Sequence, residues 1–314
     1  MLRSIIAGTG GYLPARSLTN DELAAAYNLD TSDAWIAERT GIRRRHMAAP
    51  RESTADMGAA ACREALAQAG ADASEVDAII LATATPDSAF PSTATRVQEK
   101  LGIHRGFAFD ISAACTGFIY AVGVADSMIR AGACRCALVV GAEAFTRILD
   151  WTDRGTCVLF GDGAGAVLMR AAEEPGDRGI LSTHLHSDGR HGDILQVEGG
   201  LVRMAGREVF RHAVSKLASA VDEALAANGL GKADVKWLVP HQANLRIIDA
   251  MGRKLGLPSE QVVVTVDRHA NTSAASIPLA LAEATRDGRI TAGDLVLMEA
   301  IGGGLTWGAA LARF

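Results

Sequence analysis

Cys115 is the residue of this sequence whose surroundings most suggest chemistry. It lies in Asp110-Ile-Ser-Ala-Ala-Cys-Thr-Gly-Phe118, a run of mostly small residues. Apolar residues over 107–111 predict a buried strand before it, and apolar residues at helical spacing over 116–129 predict a helix after it. A thiol at a helix N-terminus meets unpaired N–H groups and the positive end of the helix dipole, which favour the thiolate. Cys115 is therefore a candidate nucleophile, with an inert core cysteine as the alternative.

Two more polar residues follow or precede predicted elements. His241 comes directly after the apolar strand 236–239, and Asn271 precedes a helix in His-Ala-Asn-Thr-Ser-Ala-Ala-Ser. Taken singly, each has an ordinary structural interpretation: a hydrogen-bonded histidine at a strand end, and an asparagine N-cap. Together with a thiol in one pocket, they would supply what covalent acyl transfer needs.

The chain contains two similar halves. Segment 64–70 resembles 223–229, which lies 159 residues later. Further matches pair 75–80 with 234–239 at that offset, 100–102 with 254–256 at an offset of 154, and both 110–113 with 267–270 and 138–140 with 295–297 at an offset of 157. We therefore predict an internal duplication, with halves at 1–170 and 171–314.

The order of elements in each half positions these residues. Strands that alternate with helices predict the α/β class, with a largely parallel sheet covered by helices. Ligands bind such sheets beyond the carboxyl ends of the strands. Under the offset of 157, Asn271 falls on Ala114, beside Cys115. Two halves packed as pseudo-twofold partners would therefore share one acyl-transfer site.

Composition excludes several classes of protein. The content of 49% hydrophobic and 21% charged residues is typical of a globular protein, and the net charge of −5 gives no indication of a nucleic-acid partner. The N-terminal stretch lacks a signal-peptide core and no apolar run reaches membrane-spanning length, so we expect no membrane association. The five cysteines lack disulfide-like spacing. A reducing cytoplasm is the predicted location.

Three weaker motifs allow two interpretations each. His184, His186 and His191 are possible metal ligands, but the Asp-Gly turn beside them favours a surface loop, and we predict no metal. The glycines of 160–165 precede a predicted strand, which argues against dinucleotide binding. The glycines of 301–304 predict either an oxyanion hole or a tight turn.

Several segments, taken together, resemble β-ketoacyl-acyl-carrier-protein synthase III, a thiolase-fold family that starts type II fatty acid synthesis. The matching segments run along the whole chain: Thr31 to Arg43, Asp110 to Phe118, Thr152 to Gly155, Phe160 to Gly165, Pro240 to Arg246, Asn271 to Pro278 and Gly302 to Trp307. The resemblance implies a thiolase-like five-layer αβαβα fold, usually assembled as a homodimer.

The resemblance also implies the reaction. An acyl-CoA primer, typically acetyl-CoA, would acylate the enzyme and then undergo a decarboxylating Claisen condensation with malonyl on acyl carrier protein. A synthase of the same fold using another acyl-CoA starter in secondary metabolism is the alternative. A biosynthetic thiolase would need a late second cysteine, and none follows Cys157. A binding scaffold would be expected to lack one of the three catalytic residues.

The resemblance assigns roles residue by residue, with coenzyme A as a substrate and no cofactor. The triad would be Cys115, His241 and Asn271, with the backbone N–H groups of Cys115 and Gly303 as the oxyanion hole. Coenzyme A would contact Trp35, Arg39, Thr40 and Arg154. The acyl pocket would be lined by Phe145, Phe160 and, from the dimer partner, Phe90. Acyl carrier protein would contact Arg246, Arg253 and Lys254. One residue departs from the family pattern: Arg207 replaces an asparagine that lies near the pantetheine arm.

Overall fold

Two mixed sheets form the framework of the molecule. The computed structural model describes residues 2–173 and 176–314, so Met1 of the predicted first half and Glu174 and Pro175 of the second lie outside it. The strands are β1 (Arg3–Tyr12), β2 (Ser17–Thr19), β3 (Arg44–His46), β4 (Ala78–Ala82), β5 (Phe107–Ile111), β6 (Cys136–Glu143), β7 (Gly163–Ala172), β8 (Gly179–Ser187), β9 (Leu195–Glu198), β10 (Leu201–Met204), β11 (Trp237–Pro240), β12 (Leu295–Gly302) and β13 (Thr306–Arg313). The α-helices are α1 (Asn20–Tyr27), α2 (Asp33–Thr40), α3 (Thr54–Ala69), α4 (Thr93–Lys100), α5 (Gly117–Arg130), α6 (Arg154–Cys157), α7 (Gly206–Ala227), α8 (Leu245–Leu255), α9 (Val266–His269) and α10 (Ser276–Arg286).

The sheets are less parallel than the sequence predicts. The first has the order β1-β7-β6-β4-β5 and the second the order β11-β12-β13-β8. Strand β4 pairs in parallel with β5 and β6, and β11 with β12, but the pairings that involve β7 and β13 are antiparallel. Residues 303–305 between β12 and β13 are too few for the crossover that a parallel pair requires.

Helices cover and separate the two sheets in five layers. Helices α3 and α4 pack on the outer face of the first sheet, and α7 and α8 on the outer face of the second. Helices α5 and α10 lie between the sheets, where one apolar cluster joins residues of both. This is the five-layer αβαβα arrangement that the resemblance implies.

The central elements of the two predicted halves repeat at an offset of 159. The 3-10 turns Ala114–Thr116 and Ser273–Ala275 are 159 residues apart, as are the starts of α5 and α10 and those of β6 and β12. The offset of 157 is therefore wrong by two residues. Asn271 corresponds to Ser112, and Ala274 corresponds to Cys115. Because these segments are runs of small residues, they can be aligned two residues out of register without pairing unlike residues.

Strand β5 is not the buried interior strand that its apolar sequence predicts. It ends the first sheet, and none of its residues is fully buried. Phe107 and Phe109 stack with their ring centroids 6.2 Å apart. The bonds Phe107 N–H to Asp77 C=O and Thr83 N–H to Ile111 C=O tie one side of the strand to the β4 side. Across the described ranges, no strand pairs with its other side.

Candidate active site

A tight turn presents Cys115 at the N-terminal end of α5. Ala114 has a φ of +46°, a strained value for a residue with a Cβ, and the 3-10 turn passes directly into the helix. Gly302 makes room for this turn, because a Cβ there would lie 2.7 Å from the Cys115 nitrogen. Thr306 Oγ1 also donates to Ala113 C=O at 3.1 Å. The end of β12 and the start of β13 therefore fix the backbone at Cys115.

Burial acts against the thiolate that the helix N-terminus favours. Cys115 is only 5% exposed, and burial, reinforced by the nearby charge of Glu143, raises the pKa of its thiol to about 12. Cys115 lies at the helix N-terminus as predicted, and its burial opposes the thiolate that this position favours.

His241 is held at one nitrogen and free to act with the other. It directly follows β11 and is buried, and its Nδ1 lies 2.6 Å from Ser276 Oγ. Burial lowers the pKa of this imidazole to about 3, so the ring is neutral at physiological pH. The Gln242 backbone N–H donates to the same Oγ at 3.3 Å. The hydroxyl that receives this bond can donate its proton to Nδ1, which places the histidine proton on Nε2.

Asn271 is anchored in a comparable way. Its Oδ1 accepts a 2.9 Å hydrogen bond from the Ser273 backbone N–H, and its own N–H donates to Leu159 C=O at 2.9 Å. Asn271 is therefore not an N-cap, because Thr272 holds that position before the 3-10 turn, and the Asn271 oxygen accepts instead from the N–H two residues further on. The Nδ2 group has no hydrogen-bond partner among residues 2–173 and 176–314 and remains a donor. The asparagine is held by its amide oxygen, and its amide N–H groups remain available as donors.

The three residues line one cavity of about 440 Å³. Apolar side chains form most of its wall, together with Arg39, Arg207 and Arg246. A second cavity of about 320 Å³ lies on another side of Cys115 and is lined by Phe145, Phe160, Leu195, Val197, Val202 and Gly303, among others. Cys115 is thus the point at which a cationic and an apolar chamber meet.

The aromatic residues predicted for the acyl pocket occupy two places. Phe145 and Phe160 stack with ring centroids 4.3 Å apart and line the apolar chamber. Phe90 is 86% exposed and does not line the chamber of its own chain. Its predicted contribution from a dimer partner remains a prediction.

Most residues predicted to bind coenzyme A lie together. The guanidinium carbons of Arg39 and Arg154 are 4.5 and 5.1 Å from the centroid of the Trp35 ring. Arg154 also pairs with Asp30 at 3.3 Å. Thr40 is buried, and its hydroxyl donates to Ile36 C=O at 2.7 Å. The structure does not bring Thr40 to the cavity.

The residues predicted to meet acyl carrier protein are all on α8. Arg246 lies in its first turn and lines the reactive cavity, while Arg253 and Lys254 lie in its last turn. All three side chains are exposed. Cations in the last turn also complement the helix dipole, which is the ordinary structural reason for them.

The second half contains a copy of the Cys115 turn, and a glutamate lies against it. Ser273 has a φ of +49°, matching Ala114, and Ala274 stands where Cys115 does in the first half. Glu143, the equivalent of Gly302, fills the space beside it: its carboxylate accepts from Thr85 Oγ1 at 2.6 Å and from Ala84 N–H at 3.1 Å. Burial raises the pKa of Glu143 to about 7.

The weaker motifs lie elsewhere. His184 and His186 lie on β8 and not in the predicted surface loop, and both contact Glu223, at 3.1 and 2.6 Å. His191 lies in the turn after the strand. In the part of the chain that the structure describes, no group of three or more His, Cys, Asp or Glu is arranged to hold a metal. Nor does any helix there combine the length and apolarity needed to cross a membrane.

Comparisons with known proteins agree on one family. The family 3-Oxoacyl-[acyl-carrier-protein (ACP)] synthase III matches residues 109–189, and its C-terminal counterpart matches 225–314. The β-ketoacyl-[acyl-carrier-protein] synthase III of Acidiphilium cryptum strain JF-5 is 66% identical over 322 residues, with 100% of both chains covered. The crystal structure of 3-oxoacyl-[acyl-carrier-protein] synthase III from Aquifex aeolicus VF5 is similar with a TM-score of 0.96 at 48% identity, covering 99% of this chain and 100% of that one.

The five-layer fold and the buried thiol with two anchored donors define a thiolase-fold condensing enzyme. The chain belongs to the β-ketoacyl-[acyl-carrier-protein] synthase III family. It is an acyltransferase that performs the condensation initiating fatty acid synthesis, as predicted, and the alternative in secondary metabolism is not favoured.

Sequence reasoning missed the residues that hold the site in place. Ser276 lies five residues after Asn271, inside a segment that was recognised, yet spacing alone does not show that its hydroxyl meets His241. The side-chain Oε1 of Gln242, next to the histidine, accepts from the N–H groups of Thr265 and Val266 at 2.8 and 3.0 Å. The position of the polar Gln242 directly after His241 was the sequence signal that could have indicated its supporting role.

Proposed function

We propose that Cys115 carries the acyl group, typically acetyl, that primes the chain. The Cys115 sulfur attacks the thioester carbonyl of acyl-CoA, the carbon–sulfur bond to coenzyme A breaks, and the thiol proton leaves with the coenzyme A sulfur. The backbone N–H groups of Cys115 and Gly303 hold the tetrahedral oxyanion. This is supported by their shared position on the apolar chamber, which has room for a short acyl chain.

The second half-reaction uses the two anchored donors. Malonyl on acyl carrier protein enters the emptied cationic chamber, and His241 Nε2 and Asn271 Nδ2 donate to its thioester oxygen. The bond to the carboxylate carbon breaks, carbon dioxide leaves, and the electron pair passes to the enolate. Its carbon attacks the acyl-cysteine, and the Cys115 thiolate leaves and takes up a proton. Neutral donors in a dry site stabilise a developing oxyanion without first protonating the carbanion.

The same proposal covers the ends of the substrates. The flat Trp35 ring, with Arg39 and Arg154 near it, suits stacking against the adenine of coenzyme A. The exposed cations of α8, Arg246, Arg253 and Lys254, suit an acidic carrier protein. Five free cysteines are compatible with a reducing cytoplasm.

A homodimer is also part of the proposal. The outer edge of β5 is unpaired within the described residues and flanked by half-buried aromatic side chains. An unpaired apolar edge of this kind is a template for pairing with another strand. The exposed Phe90 would then be available to the partner's acyl chamber.

The observation that carries the proposal is the pair of anchored donors beside a buried thiol. Exposure to acetyl-CoA should add one acetyl group to the wild-type protein, measured by intact mass, and none to Cys115→Ala. The control Cys62→Ala, which removes a buried thiol in α3, should still be acetylated. Acetylation of Cys115→Ala at the wild-type stoichiometry would refute the nucleophile.

The division of roles has its own test. The variants His241→Ala and Asn271→Ala should still become acetylated, because the enolate forms only in the second half-reaction. Both should lose the formation of the β-ketoacyl product from malonyl-carrier protein. Loss of acetylation in both, with condensation intact on pre-acylated enzyme, would reverse the assigned roles.

A further inference from the structure

The reactive cavity has an unusual balance of charge. Its described lining includes three arginines, Arg39, Arg207 and Arg246, and no aspartate or glutamate. The remaining wall is mostly apolar. Cations that line a site without acidic neighbours favour an anionic ligand group.

Arg207 differs from the other two in its contacts. Arg39 lies over the Trp35 ring and is 3.8 Å from a Glu38 carboxylate oxygen, and Arg246 donates to Glu38 C=O at 3.4 Å. Within 2–173 and 176–314, Arg207 has neither a carboxylate within 4.0 Å nor a side-chain hydrogen bond. Its guanidinium is therefore available for a ligand.

The position of Arg207 limits which anion it can serve. It is the second residue of α7 and exposed, whereas Cys115, His241 and Asn271 are 5–6% exposed at the buried end of the cavity. The malonyl carboxylate must lie at that buried end, where it is lost. A guanidinium beside it would also stabilise the substrate carboxylate more than the transition state and so oppose decarboxylation. The anion at Arg207 is thus on the outer part of the substrate.

We infer that Arg207 binds the phosphate at the outer end of the pantetheine arm, a group that coenzyme A and the carrier protein's prosthetic group share. A guanidinium can donate two parallel N–H bonds to phosphate oxygens. The inference rests on the proposed function, since it takes the thioester end of the same arm to be at Cys115. It assigns a specificity-determining contact at a position where the resembling family has asparagine.

The test compares thioesters with and without the phosphate. Arg207→Asn should lower kcat/KM for acetylation of Cys115 by acetyl-CoA about tenfold. The same variant should be unchanged with acetyl-pantetheine, which lacks the phosphate. Arg207→Lys should recover part of the loss, because it keeps the charge but not the paired donors. Arg211→Asn, one turn along α7 and paired with Glu208 at 2.5 Å, is the matched control and should behave as wild type.

Assays with malonyl thioesters show which substrate carries the anion that Arg207 binds. An equal loss with malonyl-carrier protein and none with malonyl-pantetheine would extend the phosphate contact to the carrier's prosthetic group, and a loss confined to acetyl-CoA would restrict it to coenzyme A. A loss with malonyl-pantetheine would overturn the inference in favour of a carboxylate contact. An equal loss with acetyl-pantetheine, or no loss with acetyl-CoA, would also overturn it. At saturating acetyl-CoA the variant should still reach one acetyl group per chain. If Cys115 of the wild-type protein is not acetylated, that result refutes the proposed function and not the contact between Arg207 and the phosphate.

Discussion

His241 is backed by a hydroxyl and not by a carboxylate. A carboxylate behind an imidazole stabilises its protonated form, whereas Ser276 can only exchange neutral hydrogen bonds with Nδ1. Burial works in the same direction and keeps the ring uncharged. A residue that stays neutral is suited to donate a hydrogen bond to an enolate oxygen and poorly suited to hold a second proton.

Removing the Ser276 hydroxyl tests this arrangement. Ser276→Ala leaves Nδ1 buried without a partner, at a cost of about 1–3 kcal/mol, and frees the ring to adopt the other tautomer. We expect the condensation rate to fall about tenfold and acetylation by acetyl-CoA to remain at the wild-type rate. Single-turnover assays of the two half-reactions measure both.

A matched control separates positioning from general destabilisation. Ser127→Ala removes a hydroxyl that donates to Gly123 C=O at 2.8 Å within α5, away from the cavity. It should leave both half-reactions intact. Equal slowing of loading and condensation in Ser276→Ala would show that the serine only supports the fold.

The raised pKa of Cys115 predicts a particular pH profile. Because the pKa is near 12, the thiolate fraction should increase about tenfold for each pH unit across pH 7–10. The rate of alkylation by iodoacetamide, followed by mass spectrometry at Cys115, should rise with the same slope. A plateau below pH 9 would mean that the helix N-terminus stabilises the thiolate more than burial destabilises it.

At the scale of elements, the end of β12 determines whether the Cys115 turn can form. Gly302→Ala would place a Cβ 2.7 Å from the Cys115 nitrogen, against backbone that cannot rotate away. We expect a lower melting temperature, corresponding to about 1–3 kcal/mol, and acetylation slowed about a hundredfold by the displaced thiol. Calorimetry and loading kinetics check the two effects.

Gly189→Ala is the control for that substitution. Gly189 has open space around its Cβ position and no positive φ, so the added methyl group should change neither quantity. If Gly302→Ala loads acetyl at the wild-type rate, the close approach of β12 does not set the geometry of Cys115.

For the whole molecule, the β5 edge makes a prediction about assembly. Phe107 N–H bonds toward β4, so in a parallel ladder the N–H of Ala108 points to the open side. Ala108→Pro removes that donor without touching the bonds to β4, a substitution that edge strands tolerate. Light scattering should show a dimer for the wild type and monomer for the variant at micromolar concentration. Ala108→Ser, which keeps the N–H, should remain dimeric, and a dimeric Ala108→Pro would place the interface elsewhere.

The sequence predicted the class of fold better than the arrangement of strands within its sheets. Alternating elements predicted α/β architecture, and strand 107–111 was predicted to the residue, since apolar runs mark strands directly. The edge position of β5 was not predictable, because an apolar edge strand has the composition of a buried one. The antiparallel returns of β7 and β13 were missed because strand direction depends on connections and not on residue type.

Site details failed where they depend on distance. Asn271 was paired with Ala114 of the first half, whereas the structure pairs it with Ser112. Runs of alanine and serine do not fix the register of such an alignment. The burial of Cys115 was not predicted, since a helix N-terminus can be read from sequence but desolvation cannot. Thr40 was carried over with its neighbours although its hydroxyl bonds within its own helix.

The turn at Ala274 has a consequence for how this enzyme can change. Two copies of one scaffold meet at their centre, with Gly302 against the Cys115 turn and Glu143 against the Ala274 turn. The Ala274 turn anchors Asn271 through Ser273, whose side chain also hydrogen-bonds the Cys115 thiol. A mutation in this turn therefore reaches both the amide donor and the thiol, so neither can vary alone.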